Sequence, residues 1–178
     1  VDNKVVIAYY DGSNGMAVVG TVSGSNITFG TPVQFDSGEC EDIAVGVGKG
    51  KVLIAYKKQS NSRPRIIGGD VSGTSITFGN YNEFQTSQGN AFAITYDPID
   101  ANNSRFLFAY RDYGNSYAGT ARFVEISATG TPGTVNLTSA VVYDSTQATT
   151  NALVYDSNAG KSVIFWGDLA VLVRGKQE

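Results

Sequence analysis

The chain has 178 residues, a formal net charge of −3, no histidine and one cysteine, and only 16% of its positions are charged. Its few Lys and Arg are scattered, which excludes the basic stripe that nucleic acid or an anionic membrane surface requires. Without histidine the usual nucleophilic triads and Cys/His zinc sites are excluded as well, and the lone Cys40 cannot close an internal disulfide.

Twenty-one glycines, ten tyrosines and nine phenylalanines, with abundant Ser, Thr and Val, favour turns and pleated surfaces over helices. The length suits one domain with a substantial core. No stretch approaches the roughly 20 apolar residues of a membrane helix. The first residues, VDNKVVIAYY, lack the charged and apolar regions of a secretion signal and already lie inside a repeat pattern. Either the mature protein starts there or a longer parent has been cut.

In chain order, the first predicted strand is Val5–Tyr9 in "KVVIAYYD", followed by Ala17–Val22, by Ile27–Phe35 with a break at Gly30–Pro32, and by Ile43–Val47. The linkers "DGSNG", "SGSN" and "DSGEC" are turn chemistry, with Gly supplying positive φ and Asp, Asn and Ser bonding nearby backbone. The first phrase returns as "KVLIAYKK" (Lys51–Lys58), "RFLFAYRD" (Arg105–Asp112) and a diverged "SVIFWGD" (Ser162–Asp168). The unit is roughly 47 to 59 residues, within or just above the about 40 to 50 of propeller blades. "VSGSNITFG" (Val22–Gly30) returns as "VSGTSITFG" (Val71–Gly79), and "DIAVGVG", "AFAITYD" and "NALVYD" close the three full units.

Both faces of the first phrase are apolar, which predicts an inner strand sandwiched between neighbouring sheets. Ala8, Ala55 and Ala109 mark where sheets approach closely, and Phe165 breaks that column. The expected fold is all-β: a single domain, 1–178, of repeated four-stranded antiparallel units (4–50, 51–104, 105–161, and a partial 162–178 ending in strands Val163–Trp166 and Ala170–Arg174). That is a propeller-like array of about three and a half blades, fewer than the usual four to eight. Three arrangements stay open: a fragment of a longer propeller, copies completing a ring together, or an open array whose edges a neighbour completes. Each leaves edge strands that favour self-association.

The wording "AYRDYGNS" (Ala109–Ser116) with "VSGSNITFG" and "VSGTSITFG" resembles a tandem repeat of large proteins of environmental bacteria and of tail-fibre-like proteins of aquatic bacteriophages. The resemblance covers nearly the whole chain. It implies a propeller-like architecture and extracellular, cell-surface or virion-surface display for adhesion, carbohydrate contact or assembly, and it brings no catalytic residues. Lys57–Lys58 replaces the Arg–Asp pair in the second unit, and the third loses "ITFG".

Similar residues spread over every unit argue against a single asymmetric catalytic site, so no enzyme activity and no cofactor are expected. Asp11, Asp112 and Asp168 follow the first phrase each time, either as turn caps or as carboxylates facing a sugar hydroxyl or a calcium ion; "DGSNG" lacks the spaced acids of a calcium loop. Tyr9, Tyr56, Tyr110 and Trp166 read as packing between sheets. Tyr10, Tyr113 and Tyr117, in or near loops, are the candidates for stacking on a sugar or a protein. Arg111 beside Asp112 forms either a surface ion pair or a ligand-facing pair. Sequons begin at Asn26, Asn102 and Asn136. The expected function is a non-enzymatic structural or adhesion protein that self-associates; the alternative is a propeller-type lectin or phage receptor-binding module for surface glycans.

Overall fold

The computed structural model describes residues 3–99 and 104–168. Its strands form four antiparallel sheets. The first holds β1 (Lys4–Tyr10), β2 (Asn14–Ser23), β3 (Asn26–Phe29) and β4 (Val33–Ser37). β3 and β4 both pair with β2, one beyond the other, so they are halves of one strand interrupted at Gly30–Pro32 as the sequence suggests. The second sheet holds β5 (Cys40–Gly48), β6 (Lys51–Lys58), β7 (Arg63–Ser72) and the halves β8 (Ser75–Phe78) and β9 (Asn82–Glu83). The third repeats the plan with β10 (Gly89–Asp97), β11 (Ser104–Asp112), β12 (Ala118–Ile126), β13 (Val135–Leu137) and β14 (Val141–Asp144). The fourth contains β15 (Ala148–Asp156) and β16 (Lys161–Asp168). The expected strand at Ala170–Arg174 lies outside the described residues, whose one helical piece is a 3-10 turn at Tyr113–Asn115.

The sheets are cut one strand earlier than the sequence units. The phrase expected to open a unit, now β6 or β11, lies second in its sheet, and the phrase expected to close the unit before it, now β5 or β10, comes first. Lys49 and Gly50 explain the difference, since both have positive φ, 50° and 72°. Such a two-residue loop makes the primed turn that matches strand twist, so it welds β5 to β6 as a hairpin. The first strands of the last three sheets, β5, β10 and β15, also carry a β-bulge, the register slipping between Glu41 and Ala44, Asn90 and Ala93, and Ala148 and Asn151. Asp42 and Ala91 hold left-handed backbone there, with φ of 50° and 53°.

Period-two alternation then sorts the core. Val52, Ile54 and Tyr56 of β6 face the first sheet, while Leu53 and Ala55 face the third. On β11, Phe106, Phe108 and Tyr110 face the second sheet, and Leu107 and Ala109 join the cluster shared with Leu153 and Ile164 of the fourth. These strands are buried on both sides, as their apolar runs require. Ala55 and Ala109 are completely buried where sheets meet, whereas Phe165, at the same position of the last sheet, is 58% exposed.

One aromatic pair recurs at every boundary between sheets. Phe35 meets Tyr56 with ring centroids 5.1 Å apart, Phe84 meets Tyr110 at 5.1 Å, and Tyr143 meets Trp166 at 5.2 Å, all steeply inclined. Such contacts are worth about 0.5–1.5 kcal/mol beyond the area they bury. A bare backbone makes room for two of the rings: a Cβ on Gly15 would stand 2.5 Å from Phe35, and one on Gly119 would stand 2.5 Å from Tyr143.

Candidate functional site

The expected candidates converge at one hairpin of the third sheet. β11 ends at Asp112, whose Oδ1 accepts the Gly114 N–H at 2.9 Å and caps the 3-10 turn. Ser116 and Tyr117 follow with φ of 53° and 66°, reversing the chain so that Tyr117 returns to Tyr113. The two rings meet edge to face, with centroids 4.8 Å apart. The Arg111 guanidinium lies 4.7 Å from the Tyr117 centroid and 5.3 Å from that of Tyr113, a cation–π clamp. Arg111, Asp112, Tyr113 and Tyr117 are therefore brought together, and Tyr117 is 39% exposed.

Two details differ from the sequence reading. Arg111 and Asp112 form no ion pair, because consecutive strand residues point to opposite faces. Asn90 was not expected here at all, yet it stands directly across the ladder from Arg111. Asn90 Oδ1 and Arg111 Nε are both buried without a hydrogen-bond partner. No local motif marks Asn90, since the bulge beside it sets which residue faces Arg111.

The remaining candidates lie on other sheets. Tyr10 ends β1 with 37% of its surface exposed. Asp11 Oδ1 accepts the backbone N–H of Asn14 at 2.7 Å and of Ser13 at 2.8 Å, and these bonds hold its carboxyl below the usual range. Asp11 is thus a turn cap, as Asp112 is. Asp168 closes β16, and its side chain lies outside the described residues. Asn26 and Asn136 are exposed on β3 and β13, whereas Asn102 lies outside the described residues.

A second polar cluster was not legible in the sequence. Asp36 of β4, buried, accepts from the Tyr56 hydroxyl at 2.5 Å, Lys58 Nζ at 2.8 Å and Arg65 Nη1 at 2.8 Å. Lys58 also donates to the Ser37 carbonyl. Arg65 continues to Glu83, which takes Arg63 as well, and the guanidinium lies 4.0 Å from the Tyr81 ring centroid. Burial alone would raise the Asp36 pKa, but the hydrogen bonds from Lys58, Tyr56 and Arg65 outweigh it and hold the group ionised. Bonds from Arg65 and Arg63 bring Glu83 down to about 2, while burial and the Asp36 bond push the Tyr56 hydroxyl far up. Every member faces another member, so this cluster fastens the first sheet to the second. Cys40 is buried beside it at 3% exposure, its thiol pushed up to about 11 by burial and the Asp36 charge.

The hairpin cluster differs chemically. It offers a guanidinium with no ion pair among the described residues and two partly exposed aromatic rings, which can hold a polar, partly apolar ligand. No protein-family model matches the chain, and no curated protein matches it.

Proposed function

We propose that this chain is a non-enzymatic structural and adhesion module, displayed outside the cell or on a virion, whose sheets stand as blades of a propeller-like array and which self-associates through them. The observation that carries the proposal is the pair of apolar outer faces. On the first sheet Ile7, Ile27 and Phe29 are 45%, 47% and 47% exposed. Ile7 occupies the position that Ile54 and Phe108 bury against the preceding sheet. On the fourth, Val154, Val163 and Phe165 are 48%, 39% and 58% exposed, beside a hollow lined by Ala152, Phe165 and Trp166. Val163 and Phe165 occupy the positions that Leu53 and Ala55 bury against the following sheet. The two faces are the two halves of an interface the chain already builds inside itself, so a second copy of this chain fits each of them. The resemblance to surface and tail-fibre repeats supports the same reading and its extracellular setting.

Sedimentation velocity across a concentration range tests the proposal. Oligomers are expected for the parent chain and monomers for Ile7→Glu and Phe165→Glu; a parent that stays a compact monomer at every concentration counts against it. A second reading, as a carbohydrate-binding module, is favoured by the Arg111–Tyr113–Tyr117 clamp alone.

A further inference from the structure

The second and third sheets answer the same cation differently. In the second, Lys57 pairs across the ladder with Glu41, its Nζ 2.5 Å from that carboxylate and 3.9 Å from that of Asp42 in the bulge. In the third, the corresponding residues are Arg111 opposite Asn90, with Ala91 in the bulge. The bulge and the left-handed φ are retained, and so is the positive charge, but both carboxylates are gone. Among the described residues the Arg111 side chain has neither an ion pair nor a hydrogen bond, and its Nε is buried. Its neighbours are the rings of Tyr113 and Tyr117.

We propose that this hairpin binds a saccharide bearing a carboxylate, a hexuronate, and the inference rests on the carbohydrate reading given above. Arg111 takes the acid. A guanidinium holds a carboxylate through two parallel bonds, and ring contacts on its face restrict its motion while leaving its edge to donate. Asn90, opposite on the ladder with its Oδ1 buried, leaves the guanidinium without the carboxylate that Glu41 gives Lys57. The exposed part of Tyr117 meets the apolar face of the sugar, the contact that aromatic side chains with one wet edge make well. In the second sheet Glu41 already occupies the place of the acid, so that sheet has no such site.

Titration calorimetry of the whole chain tests this with three probes: an oligogalacturonate, a neutral galactose oligomer of equal length, and polyglutamate. The uronate is expected to bind, weakening with added salt. Arg111→Gln and Asn90→Glu, which restores the carboxylate of the second sheet, are each expected to weaken it by about tenfold or more. Lys4→Gln, on β1 of the first sheet, should leave it unchanged. Near-UV circular dichroism confirms that each variant keeps its packing. Equal binding of the neutral oligomer overturns the acidic assignment and leaves the carbohydrate reading standing. Equal binding of polyglutamate overturns the sugar. Binding of none of the probes overturns the carbohydrate reading and this inference with it.

Discussion

The Tyr56 hydroxyl donates to Asp36 at 2.5 Å across the boundary between the first two sheets, while the ring of the same tyrosine packs on Phe35 at 5.1 Å. One side chain thus joins the apolar contact that recurs at every boundary to a charged cluster found at this boundary alone among the described residues. The first sheet is fastened by both.

Removing the charge exposes that dependence. Asp36→Asn leaves Lys58 buried without its carboxylate and Arg65 with Glu83 alone, a broken buried pair of the kind that costs about 3–5 kcal/mol. Urea unfolding is expected to show a loss of that order. Asp144, at the equivalent place in the third sheet, is bonded to Thr146 instead of a cation, so Asp144→Asn should cost far less.

Acid should act at the same boundary. Asp36 and Glu83 both titrate below their ordinary values of 3.8 and 4.5 in the folded chain, Glu83 at about 2. A depressed carboxylate contributes stability that is present in full above its unfolded pKa and is lost as pH falls through the folded one. The melting temperature should therefore hold steady down to about pH 5 and drop between there and about pH 2. In Asp36→Asn the drop should be shallower.

Gly15 lies under the Phe35 ring, and a methyl group there would come 2.5 Å from it. Gly15→Ala is expected to destabilise by about 1–3 kcal/mol, as overpacking of a tight core does. Phe35→Leu frees the same space. The double variant should cost less than the sum of the two single changes, a coupling that denaturant curves measure directly.

Cys40 should be silent in the folded chain. Buried, with its thiol raised to about 11, it presents little thiolate at pH 8. A thiol reagent such as dithionitrobenzoate should modify it only as fast as the first sheet opens. Asp36→Asn should accelerate that reaction, whereas Phe165→Ala on the exposed far face should not.

Much of this was legible in the sequence because it is local. The broken strand at Gly30–Pro32, the capping roles of Asp11 and Asp112 and the packing of Tyr56 and Tyr110 follow from turn chemistry and alternation. Sheet boundaries were not. Alternation says which residues share a face but not which neighbour that face meets, and the Lys49–Gly50 turn that assigns β5 to β6 hides among other Gly-rich linkers. The Asp36 cluster escaped because its partners lie 20, 22 and 29 residues away. The pairing of Asn90 with Arg111 escaped because a bulge, invisible in composition, sets the register.

Head-to-tail packing of the first sheet's outer face on the fourth sheet's outer face is open to a mixing experiment. In a Cys40→Ser background, Ile7→Cys and Phe165→Cys chains are prepared separately and treated with a short bifunctional maleimide, alone and mixed. Cross-linked dimers are expected in the mixture and none in either variant alone. Dimers of Ile7→Cys with itself, or no cross-link in the mixture, would contradict that packing.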